Sequence, residues 1–265
     1  MKQESINTTH LFKVFEKRRD LQTKSFENGK VKVHRFSGSY ITQNNAYGYV
    51  IDGMATLHRM TGYDKQRIVE AGNWFSVPGV LDSDTRISAN GLVLLIEIPG
   101  EISGIKQKPF AQGEPSKFGT LGYIDGAENT LLYGPLKKGE PCINCLHIHK
   151  QLDQTPHTHP STRAGIVLDG SIYVKVWDLE GEGAKVIEEY QLYDGDVWAM
   201  APGVIHSFHT GELKNKCRIL AFHPDSDFGP TDEVAPMINR TIVFGVSASD
   251  MPEIHTKAKD TGIDG

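Results

Sequence analysis

Three histidines carry the clearest chemistry in this sequence. His157 and His159 lie in Pro156-His157-Thr158-His159-Pro160, and His206 follows closely on Ala201-Pro202-Gly203. Side chains of an extended strand alternate faces, so residues i and i+2 project the same way, about 6.6 Å apart. Two imidazoles so placed can converge on one ion. The third ligand must come from another strand, and His206 is the candidate because the Pro-Gly turn sets where that strand begins. One such histidine alone would more plainly be a hydrogen-bonded core residue. Three in this arrangement predict a single divalent transition metal. Imidazole suits iron, zinc, nickel, copper and manganese alike, so the metal is not named by its ligands.

Two neighbours extend the site. Arg163 stays protonated and cannot ligate, but its planar fork matches a carboxylate. It is the candidate catalytic and substrate-binding group. Gln154 could reach the same pocket as a substrate contact or a fourth ligand. Cys142-x-x-Cys145 with His147 and His149 is a weaker pattern. On one strand Cys145 and His149 stand about 13 Å apart, too far to share an ion. They are read as ordinary strand residues. His209 is expected to face away from His206. His223 opens a polar loop, His223-Pro224-Asp225-Ser226-Asp227, that either caps the pocket or packs the C-terminal tail.

The elements that must position these residues are mostly strands. Residues 8–20 place Leu11, Phe12 and Phe15 at helical spacing and predict a short N-terminal helix. Strands are expected at 31–36, 47–51, 54–60, 74–77 and 92–98, with a hairpin signal at Asp52-Gly53. Polar residues 100–118, with Pro109, Gly113 and Pro115, read as a linker. A second series follows at 144–148, 164–168, 171–177, 186–192, 197–200 and 217–222, and the tail from Asp225 reads as irregular. The 27 glycines and 13 prolines fit many strands joined by tight turns.

The halves also read as a repeat. Gly48-Tyr49-Val50-Ile51-Asp52-Gly53 is echoed by Gly165-Ile166-Val167-Leu168-Asp169-Gly170. Val77-Pro78-Gly79-Val80-Leu81-Asp82 is echoed by Ala201-Pro202-Gly203-Val204-Ile205-His206. Aligned in this way, Tyr40, Thr42 and Asp82 stand where the second half has its three histidines, and they make a poor transition-metal site. Residues 1–110 are therefore expected to be metal-free, and 111–265 to bind the metal and carry the tail.

These segments resemble the two motifs of the cupin superfamily. His157, His159 and Gly170 match the first motif, and Gly195, Pro202, Gly203 and His206 match the second. The resemblance implies an all-β fold of two tandem double-stranded β-helix barrels with the metal inside the second. Arg163 stands where the first motif has a ligating Glu, so the ligand set becomes three neutral histidines. Such sets occur in the thiol dioxygenase branch of cupins, which this stretch loosely resembles. The implied function is a mononuclear non-haem dioxygenase, with Fe(II), acting on a small carboxylate- or thiol-bearing metabolite. A redox-neutral metal-dependent isomerase or lyase, and a non-catalytic small-molecule-binding cupin, are the alternatives.

Composition narrows the partners. A net charge of -5 gives no basic footprint for nucleic acid. No apolar run approaches the roughly 20 residues of a membrane helix. Met1 to Ser5 are polar, and three cysteines are too few for a disulfide framework. The expectation is a cytoplasmic protein, with a homodimer as one option, whose partners are a small-molecule substrate and O2.

Overall fold

The computed structural model describes residues 12–16, 24–28, 31–59, 66–79, 84–98, 110–135, 140–178, 184–211, 216–225 and 241–251. Within them the fold is all-β, with two short 3-10 turns and no α-helix. The strands in the first half are β1 (Phe12–Phe15), β2 (Lys24–Asn28), β3 (Val31–Thr42), β4 (Asn45–Val50), β5 (Met54–Arg59), β6 (Arg67–Glu70), β7 (Trp74–Val77), β8 (Thr85–Ile98) and β9 (Ala111–Gly113). The second half has β10 (Leu121–Gly122), β11 (Glu128–Tyr133), β12 (Cys142–Ile148), β13 (Arg163–Asp169), β14 (Ser171–Asp178), β15 (Lys185–Tyr193), β16 (Val197–Met200), β17 (His206–His209), β18 (Cys217–His223), β19 (Ile242–Val243) and β20 (Val246–Ser247).

Strands β2 to β9 form one eight-stranded sheet. A seven-stranded sheet runs β1-β16-β13-β18-β12-β11-β10, and β15-β14-β17 form a three-stranded sheet. One apolar cluster fills the first half, with Phe36, Phe75, Ile87 and Leu95 at its centre. A second cluster is larger. It runs through the interior of the second half and continues onto Tyr47, Trp74, Leu94 and Ile96 of the first, where the large sheets face each other.

Four expectations need correction. Phe12–Phe15 is a strand rather than part of a helix, and the rest of the expected helix apart from Glu16 lies outside the described residues. Two phenylalanines three apart fit either period. What decides is the free edge of β16, which pairs antiparallel with β1 in the register Phe12↔Met200 to Phe15↔Val197. Phe12 stacks on Tyr190 at 5.0 Å. The buried Arg35 of β3 donates to the Phe15 and Glu16 carbonyls at 3.2 and 2.6 Å, tying off the end of β1.

Asp52-Gly53 does not close a hairpin. β4 and β5 each pair with a different stretch of the long β8, so the turn is a corner over that strand. Gly53 has φ +70°, and a Cβ there would meet Gly91 and Asn90; Gly170 makes the same kind of corner at φ +82°, where a Cβ would strike the Lys216 carbonyl. Within the expected linker, Ala111–Gly113 pairs with β7. Within the expected irregular tail, β19 pairs with β20, and Ile242 bridges Thr158.

The interior of the first half is not wholly apolar. Glu97 is buried and accepts hydrogen bonds from Tyr40 at 2.6 Å, His34 at 3.1 Å, Asn44 at 3.3 Å and Thr42. Burial alone would raise its pKa, but these donors outweigh burial and hold it at about 2. Glu97→Leu strands the buried Thr42 hydroxyl and three half-buried donors and should lower the unfolding free energy by about 3 kcal/mol. The depressed carboxylate stabilises the fold above its ordinary value of 4.5, and that contribution is lost as pH falls toward 2. Denaturant unfolding at pH 7 and pH 3 checks both points: the gap between wild type and variant should narrow at the lower pH.

Candidate metal centre

The ligand segment is held from both sides. His157 and His206 exchange backbone hydrogen bonds of 3.0 and 2.9 Å, and Thr158 exchanges two of 2.9 Å with Ile242. The Gly203 N–H donates to the His159 carbonyl at 2.9 Å, and Gly203 takes φ +78° to complete the turn before β17. Upstream, Asp125 accepts from the Thr155 N–H at 2.7 Å. Residues 157–159 are thus a short extended bridge between β17 and β19, and the alternation that places both imidazoles on one face holds without a regular strand.

The three rings meet inside. Ring centroids lie 4.4 Å apart for His157 and His206, 5.1 Å for His157 and His159, and 5.2 Å for His159 and His206. One nitrogen from each lies within 4.8 Å of the others. His157 Nδ1 bonds the Thr155 carbonyl at 2.9 Å and His206 Nδ1 the Val204 carbonyl at 3.1 Å. Each carbonyl can only accept, so Nδ1 carries the proton and the Nε2 lone pair is left for a metal. Burial lowers the His157 pKa to about 4 and takes His159 and His206 well below the ordinary range; Arg163 pushes the same way. Three neutral, converging, pre-oriented imidazoles fit a divalent transition metal.

The same cavity is lined by Tyr123, Asn144, Arg163, Trp198 and His223, with an apolar remainder. Arg163, first residue of β13, is fully buried. Its Nη1 donates to Ser161, to the Thr162 carbonyl and to Asp225 Oδ1 at 3.2 Å. Its Nε and Nη2 have no partner among the described residues. Gln154 does not line the cavity: its Oε1 accepts from the Phe208 N–H at 3.1 Å, bracing β17 instead.

His223 is the last residue of β18 and reaches this cavity, its ring 6.3 Å from that of His159, with both ring nitrogens unpartnered among the described residues. The alternation of β18, with Ala221 and His223 on the lined face, was the signal that could have placed it there. Asp82 lies outside the described residues. No metal group forms around the cysteines among those residues; Cys142, Cys145 and Cys217 are buried and form no disulfide there. His209 faces away from the cavity, as expected. Its Nδ1 pairs with Asp153, its Nε2 lies 2.5 Å from Ser207 Oγ, and that oxygen also accepts from Trp177 Nε1 at 2.7 Å. The sequence reading missed this Asp-His-Ser chain. Ser207 is fully buried, so the chain braces the outer face of β17 rather than attacking a substrate.

No protein-family model matches the chain, and no curated protein matches it. Solved structures do. The Cupin 2 conserved barrel domain protein from Leptotrichia buccalis superposes with a TM-score of 0.51 at 13% identity, covering 80% of this chain and 92% of the other. A deletion mutant of Bacillus subtilis oxalate decarboxylase gives 0.50 at 13%, covering 82% and 78%. The formate complex of Lactobacillus farciminis oxalate decarboxylase gives 0.50 at 12%, covering 81% and 86%. The likeness is one of fold: this is an all-β chain with the cupin fold, and its interior carries a buried three-histidine group. No helix among the described residues is long and apolar enough to cross a membrane.

The buried imidazoles set a pH dependence. Between the ordinary histidine value of 6.5 and the folded His157 value of about 4, the unfolded chain binds protons that the folded one does not. Stability of the chelator-treated protein should therefore be full above pH 6.5 and fall progressively toward pH 4. A melting temperature at pH 5 equal to that at pH 8 would contradict neutral burial of these rings.

Proposed function

We propose that this chain is a mononuclear non-haem dioxygenase with Fe(II) held by His157, His159 and His206, acting on a small carboxylate- or thiol-bearing metabolite. The observation that carries the reading is the convergence of three neutral imidazoles in the same buried cavity as Arg163, whose Nε and Nη2 have no partner among the described residues. A bound divalent metal supplies a Lewis-acid centre with positions left for substrate and O2. Three neutral ligands leave its charge uncancelled, which favours an anion. Arg163, anchored at Nη1 by Asp225, offers the remaining edge of its guanidinium to a carboxylate. Phe208, Trp198 and Leu146 keep bulk water out of the same space.

We read the chain as two tandem cupin barrels divided near residue 110, the first metal-free. Pairing that occurs twice supports this. β4 pairs with β7 and β8 as β13 pairs with β16 and β18, and β5 pairs with β6 and β8 as β14 pairs with β15 and β17. Strand β1 is then lent to the second barrel, and β9 completes the first. Buried cysteines that form no disulfide among the described residues fit a reducing compartment, so we assign the protein to the cytoplasm.

His223 favours one second reading, a redox-neutral lyase or isomerase. Its open ring nitrogens give the cavity a group able to carry a proton. Turnover without O2 consumption would mark that chemistry.

Metal analysis should find about one ion per chain. His157→Ala and His206→Ala should each lose it, while Tyr40→Phe and Thr42→Val should keep it. Full occupancy in both histidine variants would sink the site. An oxygen electrode with a panel of small hydroxy, keto, amino and thiol acids tests the reaction, and absence of uptake with every acid would reject the dioxygenase. Arg163→Lys keeps the charge but loses the fork, so affinity for the acid that is turned over should fall about tenfold or more. Unchanged affinity would remove Arg163 from the site.

A further inference from the structure

Among the described residues, several buried polar atoms of the side chains that line the cavity have no partner, and each restricts what can sit there. Arg163 leaves Nε and Nη2 open, both donors. Trp198 leaves Nε1, a donor. His223 leaves both ring nitrogens, one donor and one acceptor while the ring is neutral. Asn144 donates Nδ2–H to Asn129 Oδ1 at 2.9 Å and leaves its Oδ1, an acceptor. Buried polar atoms of this kind cost stability unless a ligand satisfies them.

The first half shows that the arrangement is not forced by the fold. There β3 and β8 pair Lys32 with Glu97 and His34 with Leu95, just as β12 and β18 pair Cys142 with His223 and Asn144 with Ala221. His34 and Glu97 satisfy each other at 3.1 Å, whereas Asn144 and His223 at the equivalent places both keep open atoms.

We propose that the site selects a small 2-hydroxycarboxylate of about glycolate size. This rests on the metal and Arg163 reading above and narrows its substrate class. The carboxylate meets the donors of Arg163. The hydroxyl supplies the O–H that Asn144 Oδ1 requires, and a hydroxyl, which both donates and accepts, also suits His223. A plain dicarboxylate such as oxalate sets an acceptor against the Asn144 oxygen. An amino acid brings an ammonium group into a cavity that holds a guanidinium, would hold a dication, and is lined by no carboxylate among the described residues. The void is about 30 Å³, room for two or three waters at roughly 10–15 Å³ each, and so for a ligand of few heavy atoms.

Calorimetric titration of the Zn(II)-loaded protein reads binding without turnover. Glycolate should bind at least tenfold tighter than acetate, oxalate or glycine. Asn144→Leu should bring glycolate down to the level of acetate with zinc still at one per chain. Should that variant not fold, Asn144→Asp gives the second reading: a carboxylate there should weaken glycolate and strengthen glycine, reversing their order. If zinc binds through His157 yet glycolate is no tighter than acetate, or if either folded variant leaves the order of ligands unchanged, the hydroxy-acid inference is overturned while the metal site stands. If zinc does not bind, the metal reading fails and the inference fails with it.

Discussion

Two backbone hydrogen bonds between His157 and His206 set the geometry on which everything else in the cavity depends. Because each residue donates to and accepts from the other, their Cα atoms are fixed opposite one another and their side chains leave on the same face. His159 then follows by alternation alone. The Thr155 and Val204 carbonyls fix the tautomers of the outer two rings, so backbone atoms choose which nitrogen looks inward. No acidic side chain is needed to orient the imidazoles, and the charge of the cavity is left to Arg163.

The two halves dispose of buried polarity in opposite ways. In the first, one carboxylate gathers four donors and the network is closed on itself. In the second, the equivalent interior carries His223, Arg163 and Asn144 with atoms that have no partner among the described residues. A closed network rigidifies and specifies packing. An open one is costly unless something else completes it, so Glu97 and His223, buried at equivalent places, differ in how their polarity is satisfied rather than in burial.

The centre was legible in the sequence because it follows local rules: His157-x-His159 by alternation, and His206 by its distance from a Pro-Gly turn. Most strands were legible for the same reason, and Trp74–Val77 and Val197–Met200 were read at their observed bounds. What the sequence hid depends on long-range partners. Phe12 and Phe15 satisfy a helical or an extended spacing equally, and only the edge of β16 decides between them. Asp52-Gly53 has hairpin chemistry, but β8 is long enough to pair with both flanking strands, which turns a hairpin into a corner. His223 looked like a loop residue because Pro224 follows it. Its inward direction comes from the register of β18 against β12.

Strand β1 also bears on how the chain reaches its final state. Phe12–Phe15 is made during synthesis long before its pairing partner, Val197–Met200. Until then the β1 segment has an unsatisfied backbone edge and two aromatic side chains without their final burial. Arg35 can already hold the Phe15 and Glu16 carbonyls, since both belong to the early part of the chain. That contact tethers the waiting strand at one end and shortens the loop that must later close. Arg35 thus clasps the end of β1 to β3, two segments near in the chain, while the strand's ladder partner lies far along it.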